Sequence, residues 1–325
     1  MKLTIQRDSF RLKQTFTISR GSRDVAEVLT VALTDGDLIG RGECYPYARY
    51  GESLDSVSAQ IKSIESELVK GLDRETLREC MPAGAARNAV DCALWDLEAK
   101  RSGKPVWELA GLSAPSKITT AYTLSLDEPN VMRASAAENA SRPLLKIKLG
   151  GIGDLDRLQA VREGAPEATL IVDANEGWSA SDYDELAPIM LSLGVSMVEQ
   201  PLPQSDDGEL AGRERPLTVC ADESCHDTAS LDTLSDKYDM INIKLDKTGG
   251  LTEALELKAA ALDRGFEIMV GCMVTSSLAM APAMLVAQGA ALADLDGPLL
   301  LAEDRDNAIH YNGSVMEPAP RALWG

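Results

Sequence analysis

The chain has 325 residues, 45% hydrophobic and 26% charged, with 51 acidic against 32 basic side chains and a formal net charge of −19. That length supports a core that needs no disulfide or structural metal, and leaves room for a barrel of about 250 residues plus a smaller module. The acidity argues against nucleic acid and anionic membranes as partners, since both repel a strongly negative surface.

The first residues, Met1-Lys-Leu-Thr-Ile-Gln-Arg-Asp8, contain no apolar signal core. Leu3–Phe10 and Val25–Leu33 are predicted strands, with a turn at Asp35-Gly36-Asp37 and a third strand over Ile39–Cys44. Ala85–Lys100 reads as a helix, with Ala89, Val90, Ala93, Leu94 and Leu97 at helical spacing and Gly103 and Pro105 as a stop signal.

From about residue 117 short apolar runs alternate with helical stretches. Eight strands are expected, at Ile118–Leu126, Leu144–Leu149, Leu170–Ala174, Val195–Glu199, Leu217–Ala221, Met240–Leu245, Glu267–Cys272 and Leu292–Leu295. Helices are expected over Asp154–Gly164, Ala180–Leu193, Leu251–Gly265 and Ser276–Ala290. The alternation implies parallel βαβ units, and eight of them imply a closed barrel. The fold class is therefore α/β, a TIM-like (β/α)8 barrel over 116–299 with an α+β module over 1–115, which the resemblance described below makes a capping domain and on which the tail, 300–325, is expected to pack back. The six cysteines form no CxxC pair and read as buried thiols of a reducing compartment. The apolar stretch Leu278–Ala293 contains Pro282 and Gly289 and is too short to span a bilayer. A cytoplasmic protein without membrane contact is expected, and a homo-oligomer is compatible with it.

The strand ends carry the chemistry. They read Lys146-Ile-Lys148, Asp173-Ala-Asn175, Glu199-Gln-Pro201, Asp222-Glu223-Ser224 and Lys244, and the intervals from Lys148 are 25, 26, 23 and 22 residues. Each interval is one βα unit, so five consecutive strands deliver a charge to the C-terminal mouth of a barrel, where active sites lie. Asp173, Glu199 and Asp222 supply three hard oxygen donors, which suit Mg²⁺, with Mn²⁺ as the alternative. Zinc is disfavoured, because neither His226 nor His310 lies at a strand end of this set. Lys148 and Lys244, on strands two and six, would face each other across the mouth. A neutral lysine could take an α-proton from a metal-bound carboxylate substrate, and the opposite protonated lysine could return one to the other face. The metal would stabilise the enediolate formed between these steps. The metal and a nearby cation are expected to lower the lysine pKa, with Lys146 supporting the carboxylates and acting on Lys148.

These motifs resemble the enolase superfamily, in its muconate-lactonizing subgroup, and within it the dipeptide epimerases. The resemblance rests on Lys146-Ile-Lys148, Val172-Asp-Ala-Asn175, Val198-Glu-Gln-Pro201, Ala221-Asp-Glu-Ser224 and Asn242-Ile-Lys-Leu-Asp-Lys-Thr-Gly-Gly250, with Gly103–Leu109 as linker. It implies a cap whose loops, near residues 16–24 and 45–53, cover the mouth. Arg20 or Arg23 would bind a substrate carboxylate, and Tyr47, Arg49 and Tyr50 would exclude water. Asp294 and Asp296 would hold a substrate ammonium, Thr123 and Cys272 would touch the substrate, and Asn175 would stand behind the metal ligands. The implied reaction is epimerisation of a dipeptide at its C-terminal residue, with L-Ala-D/L-Glu from murein peptides as substrate. The same strand-end set also supports cycloisomerisation, o-succinylbenzoate-type elimination, or a non-catalytic metal-bound binding protein. The first two take substrates without an ammonium group, which leaves Asp294 and Asp296 unexplained. The third predicts a missing base or ligand, and none is missing.

Overall fold

A computed structural model describes all 325 residues. The chain opens with an antiparallel sheet of β1 (Lys2–Ile18), β2 (Gly21–Asp35) and β3 (Leu38–Cys44). The first two strands run well beyond the predicted apolar segments. Past a bulge between Arg11 and Phe16 they pair again, Phe16 with Arg23 and Ile18 with Gly21. The segment expected as a loop over 16–24 is thus the tip of a hairpin. Its approach is exposed at Lys13, Gln14 and Thr15, which interrupts the apolar alternation between Leu12 and the buried pair Phe16 and Ile18.

Helices α1 (Leu54–Ser63), α2 (Glu65–Lys70), α3 (Arg74–Cys80) and α4 (Ala85–Ser102) follow. Ser53 and Ser56 form a capping box that starts α1. Gly40 and Gly42 let α4 lie directly on β3: a Cβ there would stand 2.2 Å from the Ala93 carbonyl oxygen and 2.1 Å from that of Ala89. The other side of α4 faces the barrel. Trp95 Nε1 donates to Thr252 Oγ1 at 3.0 Å, Asp91 accepts from the same hydroxyl at 2.6 Å, and Arg87 donates to the carbonyls of Thr248 and Gly249.

After α5 (Val106–Leu109) and β4 (Ile118–Thr119) come the barrel elements. They are β5 (Tyr122–Leu124), α6 (Pro129–Glu138), β6 (Leu144–Lys148), α7 (Asp154–Gly164), β7 (Thr169–Asp173), α8 (Ala180–Ser192) and β8 (Val195–Glu199). Then follow β9 (Thr218–Ala221), β10 (Met240–Ile243), α9 (Leu245–Thr248), α10 (Leu251–Asp263), β11 (Glu267–Gly271), α11 (Ser277–Ala287) and β12 (Leu292–Asp294). The eight strands β5 to β12 lie in sequence order, each parallel to its neighbours. Two bonds draw the sheet's ends together: Ala121 N–H to the Ala293 carbonyl at 2.8 Å and Leu295 N–H to Thr120 Oγ1 at 2.7 Å. These contacts split the run read as one strand over 118–126. Its first two residues pair instead with the tail, in a small sheet of β4 and, after α12 (Gly297–Leu300), β13 (Tyr311–Asn312) and β14 (Val315–Met316). Two crossovers, β8 to β9 and β9 to β10, carry only single 3-10 turns, at Asp207–Leu210 and Thr228–Thr233.

The tail also reaches the first module. Leu301 bridges to Leu12, Arg41 donates to the carbonyls of Ala322 and Leu323, and Trp324 Nε1 donates to the Cys92 carbonyl. No helix is long and apolar enough to cross a membrane.

Where cap meets barrel, Asp246 is buried and accepts from Asn88 Nδ2 at 2.8 Å and from the Tyr45 amide at 3.1 Å. Burial outweighs these bonds and pushes its carboxyl up to about 7. An acid raised in the folded state favours folding fully below its unfolded pKa, near 4, and loses that contribution as pH rises through about 7. Replacing Asp246 by Asn keeps an acceptor and removes the titration. Relative to the parent chain, Asp246→Asn should therefore gain stability between pH 4.5 and pH 8, on the order of 2 kcal/mol. Denaturant melts of both proteins at the two pH values measure this, and a pH-independent difference refutes it.

Candidate active site

Side chains alternate along a strand, so every second residue points into the barrel. The lowest inward ring is apolar: Ala121, Leu144, Ile171, Met197, Cys220, Met240 and Met269 pack together, with Leu292 against them. Two residues further along, the inward positions are Thr123, Lys146, Asp173, Glu199, Asp222, Asn242, Gly271 and Asp294. Two further again, Lys148, Asn175, Lys244, Met273 and Asp296 line the pocket at the mouth. A polar ring thus stands on a greasy plug. Gly271 interrupts the ring for steric reasons, since a Cβ there would lie 2.6 Å from Asn242 Oδ1.

The ring is held by ammonium groups. Lys146, 1% exposed, has its Nζ 2.5 Å from Glu199 Oε2, 2.8 Å from Asp294 Oδ2 and 3.2 Å from Asp173 Oδ2. Lys148 Nζ donates to Asp173 Oδ2 and Lys244 Nζ to Asp222 Oδ2, both at 2.6 Å. Glu199 Oε1 accepts from Asn242 Nδ2 at 2.7 Å, while its Oε2 is in no hydrogen bond despite the nearby ammonium. No three acidic, His or Cys side chains form a ready-made ligand group, because ammonium groups stand between them. The donor chemistry fits a small hard cation nonetheless: three buried carboxylates from adjacent strands, one oxygen of which lacks a hydrogen-bond donor.

The charges shift one another. Burial works to raise Asp173, but Lys148 and Lys146 hold it below the usual carboxylate range. Burial and the charge of Asp173 push Glu199 up. Burial alone would lower Lys244, but Asp222 and Glu199 hold it well above an ordinary lysine. These carboxylates are the charges nearest to it and dominate. Asp296, raised to about 7 by burial and by Asp294, accepts from the Thr123 amide at 2.6 Å.

The structure separates the two arginines offered as carboxylate readers. Arg20 is engaged on the barrel. It donates to Glu223 Oε1 at 2.7 Å, to the Asn175 carbonyl at 2.9 Å and to the Tyr47 hydroxyl at 2.9 Å. Arg49 binds both oxygens of Glu176 at 2.7 Å. Together they clasp the hairpin tip and the 47–50 turn to the barrel loops. Arg23 lines the pocket, lies over the Tyr45 ring with a bond to its hydroxyl, and is in no ion pair. Cys272 also lines the pocket, half-buried. Four participants were not singled out from sequence: Asn242, Lys247, Glu176 and Glu223. Asn242 was accessible, as the inward residue two before Lys244. Lys247 lies beyond its strand, in the single turn of α9, where no alternation points to it.

Two family models match the chain, "Mandelate racemase / muconate lactonizing enzyme, N-terminal domain" over residues 1–111 and "Enolase C-terminal domain-like" over residues 131–311. An L-Ala-D/L-Glu epimerase of Escherichia coli is 47% identical over 94% of this chain and 95% of its own. An N-acetyl-D-glutamate racemase of Pseudoalteromonas is 43% identical over 92% and 95%. A crystal structure of an enolase family member from Agrobacterium tumefaciens, with bound sodium and L-Ala-L-Glu, superposes with a TM-score of 0.98 at 54% identity over 99% of both chains. A dipeptide epimerase of Enterococcus faecalis, complexed with Mg and L-Leu-L-Tyr, gives a TM-score of 0.90 at 28% identity over 98% and 96%.

The clasp makes a local prediction. Arg20→Ala removes the ion pair to Glu223 and the hold on Asn175, without touching the hydrophobic clusters. Hydrogen exchange at residues 17–23 and 47–50 should accelerate at least tenfold, while barrel amides exchange as before. Equal protection of these segments in the variant would show that they are held by packing alone.

Proposed function

The chain belongs to the enolase superfamily, with the two domains of mandelate racemase and muconate lactonizing enzymes, and on that premise we propose that it is a dipeptide epimerase. The observation that carries this reading is the polar ring: two lysines flanking three buried carboxylates, with a further acid pair, Asp294 and Asp296, at the same mouth. Relatives solved with magnesium and a dipeptide support it.

Asp173, Glu199 and Asp222 would hold a divalent cation, which when bound would anchor the substrate carboxylate and take over the charge that here falls on the lysines. The rest is done by the chain. Lys148 and Lys244 approach from opposite strands, so one removes the α-proton and the other delivers a proton to the opposite face. Lys146 keeps Asp173, Glu199 and Asp294 compensated while this happens. Asp294 and Asp296 take the substrate ammonium, one peptide bond from the reacting carbon. Arg23, the pocket arginine without an acidic partner, takes the γ-carboxylate of a C-terminal glutamate. Phe16, Ile18, Tyr47 and Leu300 line the remaining wall and shield the carbanion-like carbon from water. The best substrate is therefore L-Ala-D/L-Glu.

Incubation with Mg²⁺ and L-Ala-L-Glu in D₂O should place one deuterium on the glutamate α-carbon as the D epimer appears. Chelation should stop the reaction and Mg²⁺ restore it. Lys148→Ala and Lys244→Ala should each lower epimerisation by at least 10²-fold, because each removes one of two proton carriers. Mass spectrometry and chiral chromatography read both, and normal epimerisation by both variants excludes the two-base reaction.

Specificity has its own test. A charge-assisted pair is worth roughly 1.5–3 kcal/mol, or about 10- to 150-fold. Arg23→Ala should cut kcat/KM for L-Ala-L-Glu by that factor and change L-Ala-L-Leu by less than about twofold. N-acetyl-glutamate lacks the ammonium and should be turned over at least 100-fold more slowly than L-Ala-L-Glu. Faster turnover of N-acetyl-glutamate would assign this chain the activity of its Pseudoalteromonas relative instead.

A further inference from the structure

We infer that Lys247 is a positioning residue that makes Asp222 offer a single oxygen to a bound cation, and that it thereby helps select Mg²⁺ over Ca²⁺. The inference rests on the reading above, in which Asp173, Glu199 and Asp222 hold that cation.

Lys247 sits in α9, three residues past Lys244, with a side chain fully shielded from solvent. Its ammonium donates three bonds: to Asp222 Oδ1 at 2.6 Å, to the Asp222 carbonyl at 2.6 Å and to the Asn242 carbonyl at 2.9 Å. All three N–H donors of the group are used, so it is pinned in place. Lys148 and Lys244 differ, since each makes one hydrogen bond, to a carboxylate oxygen facing the lumen. Lys247 therefore serves the fold of Asp222, and they remain free to move.

The other two carboxylates are divided in the same way. Asp173 Oδ1 accepts the Asn175 amide at 2.9 Å, leaving Oδ2 toward the lysines. Glu199 Oε1 accepts from Asn242 Nδ2, leaving Oε2 without a hydrogen bond. Asp222 Oδ1 belongs to Lys247, leaving Oδ2 toward Lys244. Three ligands with one oxygen each suit a small octahedral ion that keeps sites for substrate and water. Ca²⁺ prefers more oxygens and takes carboxylates in pairs. Tying back the second oxygen of each acid disfavours that mode, and Lys247 does so with a full positive charge.

The test is calorimetric titration of the full chain with MgCl₂ alone and with CaCl₂ alone, with thermal melts in chelator to establish folding. Lys247→Met should weaken Mg²⁺ binding and lower the Mg²⁺/Ca²⁺ affinity ratio at least tenfold. Asn242→Leu, which frees Glu199 Oε1, should lower the ratio in the same direction and decides the matter if Lys247→Met does not fold. Lys247→Met should also lose its effect in an Asp222→Asn background, because it acts through that carboxylate. A folded variant that keeps the parental ratio overturns the inference and leaves the metal site standing. A parent chain that binds neither ion overturns the metal site itself.

Discussion

Everything in this molecule is arranged around ammonium and carboxylate groups buried together inside a barrel. An isolated charge in such a place costs several kcal/mol, and a pair is tolerated only with close geometry and further hydrogen bonds. Lys146 meets that demand by standing against three acids from three different strands. Displacing β6 would leave Glu199 and Asp294 without the Lys146 ammonium as partner. The apolar ring beneath them closes the lumen from below, so the charged groups face only the mouth. The plug is thus a dielectric floor as well as packing: it keeps water from reaching the acids by the back door, and the charges interact strongly because of it.

That arrangement demands a roof, and the first module supplies it by two kinds of attachment. The rigid one is α4, glycine-close to β3 on one side and tied to α10 through Asp91, Trp95 and Thr252 on the other. It fixes where the cap sits. The adjustable one is the clasp of Arg20, Arg49, Glu176 and Glu223, partly exposed and made of ion pairs. The arginines are partly exposed while the side chains of Glu223 and Glu176 are largely shielded, so each pair is screened by water on one side only. A cap that is hinged firmly at its base and latched lightly at its tips can admit a polar substrate and still shut out water.

The lumen was more legible in the sequence than the cap. Barrel chemistry repeats at the interval of a βα unit, and the inward direction of each residue follows from alternation, so Lys148, Asp173, Glu199, Asp222 and Lys244 could all be placed at the mouth end of the lumen from sequence. The same rule reaches Asn242, two before Lys244, which escaped notice because an amide carries no charge to attract attention. Lys247 lies past the strand, where alternation ends. The cap hairpin extends past its predicted end because the exposed bulge at Lys13, Gln14 and Thr15 breaks the apolar period between Leu12 and Phe16. The roles of Arg20 and Arg23 were not separable at all. Three residues apart in one chain segment, they differ only in which neighbours the fold brings to them: Glu223 and Asn175 come from strand ends about 150 to 200 residues away.

This division between lumen and cap bears on how relatives diverge. In the reaction proposed above, proton transfer rests on the two lysines and the acids between them, which are fixed by the barrel. Recognition of the rest of the substrate would fall to the third inward ring and to the hairpin tip. A relative named for a dipeptide and one named for N-acetyl-D-glutamate each share more than two fifths of this sequence. Their acyl groups, alanyl and acetyl, differ by an ammonium and a methyl group. In this chain the groups proposed to receive the ammonium, Asp294 and Asp296, are buried, and burial together with the charge of Asp294 raises Asp296 to about 7. On the proposed reading, an incoming ammonium would relieve that repulsion, whereas an acetamide would bring no cation to Asp296 and leave Asp294 with Lys146 alone. The acid pair is in that sense the feature of the mouth that favours a cationic substrate end in the proposed reaction.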